Sequence, residues 1–136
     1  MKSSTRHYQL FNKDCNSKFL LLCDHASNNI PEFISKTNLG LKDKELNRHI
    51  AYDIGAKGTA VELSKYLKAP LISANFSRLV IDPNRSQDDP TSIMQIYDGT
   101  IIPGNCDLSE IQVNERKRDF YEPYHNAISR FTQKKQ

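Results

Sequence analysis

Only three cysteines, Cys15, Cys23 and Cys106, occur in 136 residues, an odd number with no C-x-x-C pair. That argues against a disulfide scaffold and against a cysteine-ligated zinc site. Cys23 lies inside an apolar run and reads as a small core residue. No apolar stretch approaches the roughly 20 residues of a membrane-spanning helix, and no apolar leader opens the chain. A cytoplasmic protein without membrane association is the expectation. Ser27 and Ser77 carry no nucleophile signature, because there is no G-x-S-x-G elbow, and no glycine-rich phosphate loop is present either. A dense basic patch is also missing. The net charge is +3, and much of the excess sits at Arg116, Lys117, Arg118, Arg130, Lys134 and Lys135. A basic helix end complements the helix dipole, and neither interleaved aromatics nor a known motif accompanies it. Nucleic acid is therefore not an expected partner, although the basic helix could face a protein. No internal repeat and no low-complexity tract occurs.

What is there suits one domain, long enough to bury roughly two-thirds of its unfolded surface. Apolar residues make up 38% and mean hydropathy is −0.64, on the polar side of ordinary. Tyr8 to Phe11 reads as a short edge strand. Phe19 to Cys23 is all apolar between Lys18 and Asp24, which predicts a strand buried on both faces. Asp24 to Asn29 is loop chemistry, and Pro31 starts a helical turn. Asp43 caps a helix predicted to run to about Leu67, with Leu46, Ile50, Ile54, Val61 and Tyr66 near the helical period. Gly55 and Gly58 weaken it by about 1 kcal/mol each. Ala69-Pro70 ends the helix and Leu71 to Ala74 begins a second strand, so the order is that of a βαβ unit. Leu79, Val80 and Ile81 read as a further buried strand, stopped by Pro83. Residues 86–106 form a long irregular stretch of the kind that is functional or mobile. Ser109 caps a last helix reaching about Phe131, kinked or divided at Pro123.

The candidates for chemistry sit at the ends of these elements. Ser77 to Arg85 places Arg78, Asn84 and Arg85 around one strand. Two guanidinium forks there suit a ligand carboxylate, and an Arg–Asp ion pair closing a turn is the alternative. His25 follows a buried strand, where α/β proteins bind ligands; it could be a metal ligand, a general base or a capping residue. His49 and Asp53 are spaced i, i+4, hence on one helical face. They could both ligate zinc, the carboxylate could orient the imidazole, or the pair could simply be exposed. Asp53 lies beside Tyr52 and Ile54 and needs a partner if it is partly buried. Tyr124 and His125 could meet a ligand or the Ile102–Asn105 loop, with core packing as the alternative for Tyr124.

Six stretches in order resemble the N-formylglutamate amidohydrolase family. They are Cys23-Asp24-His25-Ala26-Ser27-Asn28 with Ile30-Pro31, Leu39-Gly40-Leu41, His49 to Ala56, Ser77 to Arg85, Ile102-Pro103-Gly104-Asn105, and Pro123-Tyr124-His125. The resemblance spans about residues 17–131 of a single 1–136 domain. It implies an α/β fold with a mixed, mainly parallel sheet flanked by helices, of the phosphorylase/hydrolase-like, zinc carboxypeptidase-like kind. It also implies zinc as cofactor, with His25 as first ligand. The related pattern puts an acid three residues later, where this chain has Asn28. The acidic role passes to Asp53, with His49 as a lesser candidate metal ligand. Asn84 and Arg85 would grip the substrate carboxylate, and Asn105 and His125 would also line the substrate site. Arg78 would be a second anion-binding group and the catalytic, oxyanion-stabilising residue. The implied reaction is hydrolysis of an N-acyl amide on an acidic amino acid such as N-formylglutamate, as in histidine catabolism. Family members are longer, with a second His and an acidic base in their C-terminal part. After His125 this chain has no His, Asp or Glu. A C-terminally truncated domain is therefore expected. Besides activity, the alternatives are a non-catalytic remnant that binds carboxylates or a protein partner, and self-association through an exposed sheet edge.

Overall fold

The structure, a computed structural model, describes residues 7–134. Three strands, β1 (Tyr8–Phe11), β2 (Leu21–Cys23) and β3 (Leu71–Ala74), form a sheet in the order β1-β3-β2. The central strand β3 is buried at all four residues. It pairs antiparallel with β1, Tyr8 opposite Ala74, and parallel with β2, Leu21 opposite Leu71. The described sheet is thus mixed, with one pairing of each sense, and the mainly parallel sheet is not what these strands form. The β1 strand stands where the sequence places it. The second differs: Phe19 and Leu22 are 61% and 46% exposed. Among the described residues β2 is an edge strand with only Cys23 buried, so its apolar run is not covered on both faces.

The helix expected from Asp43 to Leu67 is two helices, α1 (Asp43–Leu46) and α2 (Ala56–Leu67). The break has a tertiary cause. The Ala51 carbonyl accepts from the Ser77 hydroxyl at 2.7 Å and from the Arg78 amide at 3.3 Å, and the Asp53 amide donates to the His25 carbonyl at 2.9 Å. Those backbone groups serve neighbouring loops and cannot serve a helix ladder. Gly55, at φ 83°, then makes the left-handed entry to α2. The helix α2 connects parallel strands β2 and β3, as the βαβ reading requires.

Phe76 to Ile81 is buried throughout, yet it is a run of turns and no strand. Ser77 folds it: the Leu79 amide donates to the Ser77 hydroxyl and the Val80 amide to the Ser77 carbonyl. Apolar content marks burial correctly there, but local side-chain bonds displace the ladder. The stretch expected to be irregular contains a hairpin, β4 (Ile96–Tyr97) and β5 (Thr100–Ile101). Asp98 and Gly99 turn it at φ 46° and 74°, the paired positive angles of a type I′ turn.

The C-terminal segment comprises α3 (Glu110–Arg116), one wide π-helical turn at Lys117–Tyr121, and α4 (Glu122–Gln133). Ser109 and Gln112 make a reciprocal capping box. Pro123 falls in the first turn of α4, just after the wide turn. The missing proline N–H is accommodated there, so the helical path continues past it. Phe76, Phe120 and Tyr124 pack edge to face at the centre of the core, with ring centroids 5.3 and 6.4 Å apart. Residues 103–105 press on residues 38–40: a Cβ on Gly104 would lie 2.6 Å from Leu39 Cα. Among the described residues no helix is long and apolar enough to cross a membrane.

Candidate functional site

His25 follows the end of β2, where its imidazole lies between two carboxylates. Nε2 is 2.7 Å from Asp82 Oδ1 and Nδ1 is 3.3 Å from Asp53 Oδ2. Each carboxylate has an arginine behind it: Arg78 donates through Nη2 to Asp53 Oδ1, and Arg85 Nε stands 3.5 Å from Asp82 Oδ2. The two sides differ in exposure, Asp82 being 4% and Asp53 53% exposed. The tight, dry contact is therefore to Asp82, and the looser one faces water.

Burial alone would push the His25 pKa down, but its hydrogen bond to Asp82 and the charge of that group outweigh it, and the result is raised. Asp82 mirrors this. Burial pushes its carboxyl up, while the His25 bond and the Asn84 amide, 2.9 Å away, bring it below the usual carboxylate range. The two groups favour each other's charged forms.

The structure brings together His25, Asp53, Arg78 and Arg85 from the sequence candidates, and it adds Asp82. Asn84 is exposed next to them, and its backbone amide holds Asp82. Three candidates are placed otherwise. His49 faces Asp98 at 2.9 Å and lies edge-on to Tyr97, because the helix that would have aligned it with Asp53 is broken. Asn105 is buried with its amide fully used: Nδ2 donates to the Leu79 and Met94 carbonyls, and Oδ1 accepts from Arg116. It ties loops together and presents no group to a ligand. His125 Nε2 donates to the Pro83 carbonyl at 2.8 Å, and its ring lies on Tyr121, whose hydroxyl donates to the Arg85 carbonyl. Both rings hold the loop that carries Asn84 and Arg85. Tyr124 is a core residue whose hydroxyl reaches Asp24, and burial pushes its pKa up.

Asp82 is legible in outline as the acid of an ion-paired turn, and the Arg85–Asp82 contact is that pair. Tyr97 and Tyr121 had no signal, since only folding brings them to Arg78 and Arg85.

Residues 17–136 match the family described as N-formylglutamate amidohydrolase. The chain belongs to that family. The crystal structure of a gene product from Agrobacterium tumefaciens is similar to it, with a TM-score of 0.91 and 33% sequence identity, covering 98% of this chain and 52% of that one. The chain thus spans about half the length of that solved relative. No curated protein matches the chain.

For an N-formylglutamate amidohydrolase family member the metal expectation has to be tested on the donors present. Asp82 on Nε2 of His25 is the carboxylate–histidine arrangement that orients a ligating imidazole. On the other side, Nδ1 meets Asp53 alone. A catalytic zinc site takes three protein ligands, and among the described residues no group of three or more His, Cys, Asp or Glu side chains is placed to hold a metal ion. The described residues do not fit a complete zinc site.

Proposed function

We propose that this chain acts on the amide bond of an N-acylated acidic amino acid, N-formylglutamate being the type substrate. One observation carries the reading: His25 is clasped by Asp53 and Asp82, each braced by an arginine from the Ser77–Arg85 segment. Arg85 is 40% exposed and able to meet a carboxylate; with Asn84 it would hold the substrate and fix the amide against His25. The Asp82 contact raises the His25 pKa and so favours its protonated form; His25 would give a proton to the leaving amine as water adds to the acyl carbon, while Asp82 fixes the ring. Arg78 offsets the charge of Asp53 and would favour negative charge developing on the acyl oxygen. The reading takes the α/β fold as that of the zinc carboxypeptidases, with the site beyond the end of β2 as support.

Incubating purified protein with N-formylglutamate and measuring formate tests it. Release should fall about a hundredfold in His25→Ala, the scale of a lost proton-transfer group; turnover no higher than in that variant would sink the proposal. A second reading, a carboxylate binder without turnover, is favoured by the incomplete metal donor set. Calorimetry with glutamate-like dicarboxylates tests it, and binding unchanged in Arg85→Ala would count against it.

A further inference from the structure

Tyr97 stands over Arg78, with the guanidinium carbon 5.7 Å from the ring centroid, and its hydroxyl accepts a hydrogen bond from Arg78 Nη1 at 3.3 Å. A phenol that accepts one hydrogen bond still has its own O–H to give, and no acceptor among the described residues takes it. Arg78 itself has little left to offer. Its side chain is 8% exposed, Nη2 is committed to Asp53, and Nε is buried without a partner. Tyr97 is half-buried and keeps access to solvent. The cationic donor behind the Tyr97 hydroxyl polarises it into a stronger donor.

The hairpin carrying Tyr97 is held from its other end. Asp98 pairs with His49 Nε2 at 2.9 Å and Arg48 Nη2 at 3.6 Å, and Arg48 Nη1 donates to Thr100 Oγ1 at 2.8 Å. The contacts run in one string, Tyr97–Arg78–Asp53–His25–Asp82–Arg85. It ends in a donor on each side. Asp53 and Asp98, the acids nearest Tyr97 in these contacts, are each paired with an arginine, so an anionic oxygen is not turned away there.

We propose that Tyr97 is a ligand-binding, specificity-determining residue: its hydroxyl donates to the side-chain carboxylate of an acidic acyl-amino acid while Arg85 holds the α-carboxylate. The proposal rests on the reading above for the class of ligand, but not on turnover. Calorimetry with N-formylglutamate and with N-formylglutamine, which keeps one carboxylate and replaces the other by a neutral amide, tests it in the wild type and in Tyr97→Phe, which keeps the ring. The expected result is about tenfold weaker binding of N-formylglutamate in Tyr97→Phe, the usual scale for a hydrogen bond to a charged group, with N-formylglutamine affinity unchanged. Unchanged N-formylglutamate affinity, an equal loss for both ligands, or no binding by the wild type would overturn it. Selective loss in a protein that releases no formate would leave this assignment standing and remove the hydrolase reading instead.

Discussion

His25 and Asp82 form a close, largely buried polar pair, and their opposite pKa displacements give a signed prediction. Asp82 is depressed from 3.8, so its contribution to stability is present above that value and is lost as pH falls through its lower folded pKa. His25 is raised from 6.5, so its contribution is full below that value and is lost as pH rises through its higher folded pKa. In metal-free protein the pair should therefore stabilise most between about pH 4 and 6.5 and weaken on both sides. Urea unfolding across pH checks this. Asp82→Asn should flatten both limbs and cost roughly 3 kcal/mol near pH 5.5, the scale for breaking a buried pair; a pH profile identical to wild type would refute the coupling. Arg116 shows the contrasting case of a buried charge with no ion pair among the described residues. It donates to the Val80 carbonyl and Asn105 Oδ1, and burial lowers its pKa to about 10. Its role is to join the Leu79–Ile81 turns to the Asn105 loop.

Among the elements, the Pro103–Asn105 turn is the one with least room. Gly104 lies against the Leu39 backbone, with contact distances no real Cβ shows. Gly104→Ala should destabilise by about 1–3 kcal/mol through overpacking, seen as a lower urea midpoint with an unchanged slope. The same displacement would loosen Asn105 and the turns it holds, so loss of ligand binding is expected to accompany it. A midpoint equal to wild type would show that the two segments separate freely. The α3–α4 segment works differently. Its wide turn sets Tyr121 and His125 against the Pro83–Arg85 backbone, so the helix positions the loop that carries Asn84 and Arg85.

For the molecule as a whole, the free side of β2 is the conspicuous surface. Among the described residues the order β1-β3-β2 leaves that strand unpaired on one edge, near exposed Phe19 and Leu22. We propose that this edge drives self-association. Sedimentation velocity should show a mass that rises with concentration, and Leu22→Lys should reduce the rise; a concentration-independent monomer would oppose the proposal.

Much of this protein was legible in order and little in arrangement. Strand β1, the β2–α2–β3 unit, the Ser109 cap and the six ordered motifs follow from local sequence, because period, capping chemistry and turn residues act over a few positions. His25, Asp53, Arg78 and Arg85 could be named from those motifs. Their assembly could not, since Asp82 lies 57 residues from His25 and Arg78 25 from Asp53. Helical period promised one helix where the Ala51 carbonyl, drawn to Ser77 and Arg78, requires two. Apolar content promised a strand at Leu79–Ile81 where the Ser77 hydroxyl folds turns. The polar groups of Asn105 and His125 suit a ligand by type, and the fold gives them backbone partners that sequence does not reveal. The sequence by itself determined the family and the residues able to do chemistry. Only the tertiary structure decided which of them face one another, because long-range hydrogen bonds and the demand to pair every buried polar group override local preference.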